Sequence, residues 1–448
     1  MAFDVDQQTR NDLAITAAYG DTASIMSLFK PRTLGGRLVL ADWFDAPLHD
    51  ANLINERLEF IRYLQQTGTE ASFHKDDLDF IEHYLKQDNY PQKVSSYQAV
   101  KSYAQHLLKP SAEYYVITRG IQLLLNLIST LNQYFATFEV QHHSPAIGLR
   151  YKTFLNETLS QPNFAAIMPL LILKKLNALQ IQECDYVFRY QGREAIKTLL
   201  NMVYQLDVFS AVAHTAEQLN FSYPIIKSDA DSCLILNGLF HPLIKSPIRN
   251  DITFNAEHNV CFVTGANMAG KSTLLKSIAV CVLLVHIGFP VPATSMQTSV
   301  FNGLITTINL ADNLVQGYSH FYSEVIRVKQ VAQKIKQRGK LVVVFDELFR
   351  GTNVKDAYDS SLAIIQAFAK IRNCIFIIST HITEVAYELK KLNNISFRYM
   401  ETKMQEGVPT YSYQLQNGIT DERLGYWIVQ NEKIIEIIEN SSPQDKTV

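Results

Sequence analysis

The chain has 448 residues, of which 47% are hydrophobic and 19% are charged, and its formal net charge is −2. This length predicts two or three domains with at least one large core, and the composition excludes a disordered or fibrous chain. Because the charge is close to zero, no global basic field attracts nucleic acid, and DNA binding would need a local basic patch.

Cysteine usage and the N-terminal sequence bear on the compartment. The five cysteines are scattered without a CxxC pair, which argues against a disulfide framework or a cysteine metal site and favours a reducing compartment. The start MAFDVDQQTR lacks a signal-peptide pattern, and no apolar run approaches the ~20 residues of a membrane helix. We therefore expect a soluble, cytoplasmic protein with no membrane partner.

The first 230 residues have helical periodicity. Apolar residues recur at three- and four-residue spacing in VITRGIQLLLNLISTLNQYF (116–135) and in EAIKTLLNMVYQLDVFSAVAHTAEQL (194–219). Such spacing is typical of long amphipathic helices that pack together. We predict an all-α domain over residues 1–230.

After residue 230 the pattern changes to short apolar strands that alternate with helices. CLILN, VCFVT, LVVVFD and CIFIIST are the strand candidates. Buried strands with helical connections predict a parallel α/β sheet. The predicted fold is thus multidomain, α followed by α/β, with the α/β domain over 231–435 and a frayed tail over 436–448.

The stretch GANMAGKS, residues 265–272, fits the pattern G-x-x-x-x-G-K-[ST]. It follows a predicted strand, 260–264, and precedes a helix predicted to run through Leu283. Glycines let the backbone curve around phosphates, so that its N–H groups and the helix N-terminus face the anion. Lys271 would contact the β- and γ-phosphates and Ser272 would ligate Mg²⁺. A glycine-rich turn that happens to end in GKS is the alternative, and the agreement of strand, loop and helix argues against it.

A phosphate loop needs acids to complete a hydrolytic site. LVVVFDEL, residues 341–348, places Asp346 and Glu347 at the C-terminal end of a buried strand, where open α/β sheets bind ligands. We expect Asp346 to hold Mg²⁺ through water and Glu347 to orient the attacking water. His381 follows a third buried strand and would reach the γ-phosphate region. Solvated loop acids and a structural histidine are the alternatives.

The segment GYSHFYSE, 317–324, lies between these two motifs. Ser319 precedes a helical run, so that it would lie near a helix N-terminus, which attracts anions. An ordinary helix cap is the alternative. Because the loop 265–272 already surrounds one side of a triphosphate, a second anion-binding helix end could serve a nucleotide bound by another subunit.

TGANMAGKST, ADNLVQGYSHFYSEV, LVVVFDELFRGTN and STH, in this order, resemble the ATPase domain of the MutS family of DNA mismatch repair proteins over about 230–430. The resemblance implies a P-loop, ABC-type ATP hydrolase that uses ATP and Mg²⁺. It makes Lys271, Asp346, Glu347 and His381 catalytic, with His381 as the γ-phosphate sensor. The residues it assigns to nucleotide or Mg²⁺ binding in the loop are Gly265, Ala266, Asn267, Met268, Ala269, Gly270, Lys271, Ser272 and Thr273.

The resemblance also implies contacts beyond the loop. Ser319 would reach the γ-phosphate of the partner subunit in trans. Asn250 would approach the adenine, with Pro247 or Ile248 against its face. Residues of the DELFRGTN run would lie at the dimer interface, namely Gly351, Thr352 and Asn353.

Residues 30–64 are similar to the start of the MutS core, or lever, domain. The matching residues are Thr33, Gly35, Arg37, Trp43, Pro47, Leu48, Asp50, Ile54 and Arg57. This implies a short family form that begins at the core domain, without the mismatch-binding and connector domains, and with the DNA clamp reduced or absent. We expect Arg37 and Arg57 to make internal hydrogen bonds within a helical scaffold.

Two functions follow as hypotheses. In the first, the chain is a DNA-dependent ATPase that forms a homodimer through its ATPase domains. It would bind DNA as an ATP-dependent clamp in mismatch repair or related DNA processing, with possible repair partners. In the second, it is an ATP-gated assembly module without mismatch recognition of its own.

Overall fold

The computed structural model describes residues 3–17, 23–68, 73–87, 111–136, 144–173, 175–227, 232–308, 320–405, 408–420 and 425–440, and the single residues 91, 138 and 310. The chain divides into two compact units. One contains Met1–Ile25, Pro47–Ala51 and Leu219–Val448, and the other contains Met26–Ala46 and Asn52–Gln218.

The N-terminal segment belongs to the same unit as the C-terminal half. It forms strand β1, Asp4–Val5, and helix α1, Gln7–Asp12. Asp6 caps α1, because its carboxylate accepts the backbone N–H of Thr9 at 3.0 Å. The predicted all-α domain over 1–230 therefore differs from the structure at its start. A two-residue strand is too short to produce a periodic sequence pattern.

The second unit is helical. It begins with a short 3₁₀ turn, Met26–Leu28. Its other elements are α2 Leu34–Asp45, α3 Ala51–Thr67, α4 Lys75–Leu85, α5 Ala112–Ala136, α6 Ala146–Ser160, α7 Pro162–Ile167, a 3₁₀ turn Met168–Ile172, α8 Ala178–Tyr186, a π turn Val187–Gln191 and α9 Arg193–Gln218. α5 buries the leucine and isoleucine face that its sequence period predicts.

Polar contacts fix the start of this helical unit. Thr33 caps α2 by accepting the N–H of Gly36 at 2.8 Å. Its own hydroxyl donates to Asp207 on α9 at 2.7 Å. The guanidinium of Arg57 lies 4.1 Å from the ring centroid of Trp43, a cation–π contact rather than the expected type of interaction. Arg37 Nε donates to the Pro31 carbonyl at 3.5 Å, an internal hydrogen bond as expected.

The C-terminal part alternates strands and helices. Its elements are β2 Ile225–Lys227, β3 Leu234–Leu239, β4 Asn250–Phe254, β5 Val260–Thr264, α10 Lys271–Ile287, β6 Ser295–Ser299, β7 Gly303–Thr307, α11 His320–Arg338, β8 Leu341–Phe345, α12 Val354–Ala369, β9 Ile375–Ser379, α13 Thr383–Leu389, β10 Ile395–Gln405, β11 Val408–Asn417, α14 Gly425–Asn431 and α15 Ile434–Asn440.

Two sheets organise this unit. The larger has the order β1-β7-β8-β9-β5-β10-β11, and the smaller has the order β2-β6-β3-β4. From β1 to β10 all neighbours in the larger sheet are parallel. Every residue of β5, β8 and β9 is buried, as expected for strands covered on both faces. The C-terminal ends of these three strands consequently lie side by side at one edge.

Helix α10 is buried along nearly its whole length and ends at Ile287, four residues beyond the predicted Leu283. Gly288 adopts φ +84° and ends the helix. His286 in the last turn is held by Leu48. Its Nδ1 bonds the Leu48 carbonyl at 2.7 Å, and its own carbonyl accepts the Leu48 N–H at 2.5 Å.

Other predicted boundaries also differ from the structure. The helical unit ends at Gln218 rather than at residue 230. Helix α15, Ile434–Asn440, crosses the predicted start of the tail at 436, because isoleucines at 434, 435, 437 and 438 have helical spacing. The remainder of the predicted tail, 441–448, lies outside the described residues. Within the described part of the chain, no helix has the length and apolarity to span a bilayer.

Candidate functional site

The loop between β5 and α10 contains three residues with positive φ. Gly265 has φ +141°, Met268 +67° and Gly270 +99°. Positive φ costs little for glycine but strains a methionine, and such strain clusters at ligand-binding loops. Asn267, Met268 and Ser272 are exposed at the mouth of the loop. The sequence pattern thus corresponds to a curved backbone at the N-terminus of a 17-residue helix.

Lys271 lies inside this curve. Its ammonium group donates to the carbonyls of Gly265 at 2.7 Å and Ala266 at 3.0 Å. Burial lowers the pKa of Lys271, while the negative charges of Glu347 and Asp346 oppose that shift. The lysine and the two acids are therefore close enough for their charges to interact.

The acidic pair follows β8, and a serine on the neighbouring strand β9 holds it. The hydroxyl of Ser379 donates to Asp346 Oδ1 at 2.5 Å and accepts the N–H of Glu347 at 3.0 Å. Asp346 is also fixed from β7, since its N–H donates to the Thr307 carbonyl at 2.9 Å. Sequence reasoning quoted Ser379 as part of STH but gave it no role.

Glu347 has a left-handed backbone and two side-chain partners. Its φ is +60°, an uncommon value for a residue that is not glycine. Its carboxylate bonds His381 Nε2 in a very short contact and accepts Arg350 Nη1 at 3.1 Å. The hydrogen bond to His381 lowers the pKa of Glu347 against the opposing effect of burial, and the charges of His381, Arg350 and Lys271 add to this lowering. Glu347 is thereby kept as a carboxylate.

The loop after Glu347 is anchored to α11. Glu324, which is buried, accepts the N–H of Arg350 at 3.2 Å and of Gly351 at 3.4 Å. A Cβ at Gly351 would lie 2.6 Å from the backbone nitrogen of Phe321. Asn353 caps α12 by accepting the N–H of Asp356 at 2.9 Å. These contacts give two of the three residues assigned to a dimer interface clear intramolecular roles.

The side chain of Asn250 is hydrogen-bonded to the backbone of β11. Its side-chain amide donates to the Tyr413 carbonyl at 3.0 Å and accepts the Leu415 N–H at 2.7 Å. The predicted adenine contact by this side chain therefore competes with two backbone hydrogen bonds. Ile248 nearby in sequence is exposed and Pro247 is half-buried.

Tyr413, which sequence reasoning missed, lies against the phosphate loop. A Cβ at Gly270 would be 3.1 Å from Tyr413 Cδ1, so the ring packs on this glycine. The side chain remains 46% exposed, and the backbone has φ +56°. Its strand offered no signal, because aromatic residues are ordinary in strands. An exposed aromatic face thus borders the loop.

Ser319 lies outside the described residues. The structure begins again at His320, the first residue of α11. His320 Nδ1 lies 3.6 Å from Glu324 Oε1, on the same turn that anchors the loop after Glu347.

Residues 261–446 match the family model of MutS domain V. The DNA mismatch repair protein MutS of Wolbachia pipientis wMel is 27% identical over 359 residues, which cover 76% of this chain and 40% of that protein. Residues 261–446 are thus similar to MutS domain V, and about three quarters of the chain is similar to MutS proteins.

Two further MutS proteins are similar to this chain. MutS of Ehrlichia ruminantium (strain Gardel) is 27% identical, covering 75% of this chain and 43% of that protein. MutS of Lactobacillus johnsonii is 29% identical, covering 53% of this chain and 28% of that protein. The chain spans less than half the length of these curated MutS relatives.

Two oxygen-bearing side chains of this part of the chain could hold Mg²⁺ beside a phosphate. Ser272 and Asp346 offer oxygen atoms, which Mg²⁺ prefers, and Mg²⁺ commonly takes only one or two protein ligands beside phosphate and water. Across the described residues, no three His, Cys, Asp or Glu side chains converge as a protein-only metal cage would require.

Proposed function

We propose that this chain is a P-loop ATPase of the MutS family that binds ATP with Mg²⁺ and hydrolyses it. One observation carries the proposal: the ends of the neighbouring strands β5, β9 and β8 bring together the loop with Lys271, the His381–Glu347 pair and Asp346. A cation beside a curved loop, two carboxylates and a histidine are the groups that phosphoryl transfer to water needs.

In this proposal each residue has a defined task. Backbone N–H groups of 265–270 and the N-terminus of α10 bind phosphate oxygens, and Lys271 neutralises their charge. Ser272 and Asp346 would hold Mg²⁺, which supplies charge stabilisation when bound. Glu347, kept ionised by His381 and Arg350, orients water and accepts its proton at Oε1 or Oε2.

The base of the nucleotide would lie against Tyr413. Its ring is exposed beside Gly270, and the side chain of Asn250 fixes the backbone that follows by donating to the Tyr413 carbonyl and accepting the Leu415 N–H. Asn250 would therefore act on the adenine through the strand that it holds rather than by direct contact. Aromatic faces bind bases by stacking.

We further propose that ATP acts between two copies of the chain and that the helical unit serves as a DNA-binding lever. The resemblance of Ser319 and of residues 351–353 to the MutS composite site supports the dimer. The printed names of the relatives, DNA mismatch repair proteins, support DNA as the partner. An ATP-gated assembly module is the second candidate, because the net charge of −2 supplies no global basic field for DNA.

One experiment tests these proposals. Phosphate release from ATP is measured with no DNA and with homoduplex, mismatched or branched DNA, at two salt concentrations. We expect turnover that DNA stimulates and that salt weakens, since phosphate contacts release counterions. Turnover that is indifferent to every DNA would favour the assembly module.

The variant Glu347→Gln separates binding from chemistry. It should bind a fluorescent ATP analogue as the wild type does, but lose roughly 10²- to 10⁴-fold in turnover. Glu388→Gln is the matched control, because Glu388 is exposed and pairs only with Lys391 in a surface contact of 2.5 Å. Unchanged turnover in Glu347→Gln would remove Glu347 from the mechanism.

A further inference from the structure

The outer edge of β7 is covered by the N-terminal segment. β1 pairs with Gly303 and Leu304 only. After Leu304, the edge of β7 is hydrogen-bonded to side chains of α1 instead of to a strand. Thr9 Oγ1 accepts the N–H of Thr306 at 2.9 Å, and Asp12 Oδ2 accepts both the Thr306 hydroxyl at 2.6 Å and the Ile308 N–H at 2.9 Å. Both Thr9 and Asp12 are buried.

The residue between these two anchors touches the candidate site. The Thr307 carbonyl accepts the N–H of Asp346 at 2.9 Å, and its hydroxyl accepts Arg327 Nε at 3.1 Å. With residues 306 and 308 held by α1, Thr307 has a fixed position. The N-terminal segment therefore fixes the end of β7, to which the backbone of Asp346 is hydrogen-bonded.

A second set of contacts connects the N-terminal segment to α11. The Asp6 carboxylate accepts Arg327 Nη1 at 2.7 Å and Nη2 at 3.3 Å, and Arg327 Nη2 also donates to the Thr306 carbonyl at 2.7 Å. Burial raises the pKa of Asp6, but hydrogen bonds and the charge of Arg327 outweigh it and lower that pKa to about 2. Lys334, two turns on, donates to Asp4 at 2.8 Å.

Helix α11 in turn contacts the loop that follows Glu347. Glu324 lies one turn before Arg327 on α11 and holds the N–H groups of Arg350 and Gly351. Arg350 in turn donates to Glu347 at 3.1 Å. The position of α11 thus determines where this loop and its arginine lie.

We propose that Asp6 and Asp12 are positioning residues of the hydrolytic site. Through the end of β7 they place Asp346, and through Arg327 and α11 they place the loop 347–351. This inference rests on the proposed ATP hydrolysis. Neither aspartate touches the phosphate loop, so their effect is on hydrolysis and not on nucleotide binding.

Asp6→Asn and Asp12→Asn test the inference in the full-length protein. Each keeps the shape of the side chain but removes the charge that holds Arg327 or the Ile308 N–H. We expect kcat to fall by roughly tenfold to a hundredfold, as misplacement of catalytic groups by about 1 Å can cause. KM and the affinity for a fluorescent ATP analogue should stay within about twofold of the wild type.

The matched control is Asn11→Ala. Asn11 lies on the same short helix, but its side chain bonds only the exposed Gln7, at 2.9 Å. This variant should keep the wild-type kcat. Asp6→Glu retains the charge and should recover much of the activity that Asp6→Asn loses. A purely structural role would instead lower kcat only in proportion to the folded fraction, which circular dichroism measures at the assay temperature.

Hydrogen exchange gives a readout that needs no catalysis. In both asparagine variants the amides of Asp346, Arg350 and Gly351 should exchange faster, because their acceptors at Thr307 and Glu324 lose support. Faster exchange confined to 306–308 would overturn the inference. So would unchanged kcat in both variants of a wild type that hydrolyses ATP. A wild type without ATP turnover would instead overturn the proposed function and the inference together.

Discussion

At the scale of single residues, the candidate site depends on side chains that hold other groups in place. Ser379 shares one hydroxyl between Asp346 and the backbone of Glu347, and Asn250 fixes the strand around Tyr413. Such supporting contacts restrict the geometry of the groups that act on the substrate. Tyr413 is the most exposed of these side chains and can be tested alone.

Replacing Tyr413 by alanine should weaken ATP binding. Loss of a stacked aromatic ring costs about 1–3 kcal/mol per base, which is roughly a five- to hundredfold rise in Kd. Tyr413→Phe should bind as the wild type does, because the ring remains. Fluorescent nucleotide titration measures both.

The neighbouring Tyr411 provides the control for that measurement. Its ring lies 6.2 Å from the Tyr413 ring on the same strand, so Tyr411→Ala tests general damage to β11. Equal weakening by Tyr411→Ala and Tyr413→Ala would exclude a specific stacking role for Tyr413.

At the scale of elements, α10 is fixed at its C-terminal end by a neutral histidine. Burial lowers the pKa of His286 to about 4, and the hydrogen bond to Leu48 only partly opposes this. Nε2 accepts the N–H of Phe301 at 3.3 Å, a bond that requires the unprotonated nitrogen. The ring also stacks on Phe3 at a centroid distance of 3.8 Å.

This histidine predicts a pH dependence of stability. The imidazole of His286 binds a proton more readily in the unfolded chain than in the folded protein. The free energy of unfolding should therefore be highest above about pH 6.5 and should fall by on the order of 3 kcal/mol as the pH drops toward 4. His241, whose pKa burial also lowers to about 4, acts in the same direction. Denaturant unfolding between pH 7 and 4 measures the slope.

Two variants isolate the contribution of His286. His286→Asn keeps a donor for the Leu48 carbonyl but cannot titrate, so its unfolding free energy should depend less on pH in that range. The same change at the exposed His83 is the control and should leave the slope as it is in the wild type. An unchanged slope in His286→Asn would contradict the prediction.

Elements with a strong local pattern could be predicted from the sequence. The strands Val260–Thr264 and Leu341–Phe345 are continuous apolar runs, and G-x-x-x-x-G-K-S between a strand and a helix is a local signal. The mixed α and α/β class followed from the same patterns, and the MutS domain V match agrees with it.

Contacts between distant parts of the chain could not be predicted in this way. Thr9 and Thr306 are 297 positions apart, and Asn250 and Leu415 are 165 apart. A two-residue strand and a single asparagine have no periodicity, so the sequence offers no signal for their partners. The N-terminal segment was for that reason assigned to the helical domain.

At the scale of the whole molecule, the proposed dimer has a specific test. Lys271→Ala would disable the phosphate loop in its own chain, and Ser319→Ala would disable the partner's nucleotide. Each variant alone should be inactive. Heterodimers of the two contain one site with both residues intact, so mixing should restore about half of the activity of one wild-type dimer.

Mass spectrometry of differently tagged chains shows whether heterodimers form in the mixture. If they form and the mixture stays inactive, Ser319 does not act across the interface. Activity from Ser319→Ala alone would also contradict the composite site.

The two hydrogen bonds between His286 and Leu48 have a mechanical consequence. The 17 residues of α10 make it about 25 Å long, and it lies in a close-packed core of the kind that transmits strain. Any axial shift of Lys271 therefore carries Leu48 the same distance, and Leu48 precedes the first residue of α3 by only three positions. Binding of a triphosphate that shifts Lys271 would in this way also displace Leu48, at the opposite end of α10 in the same unit.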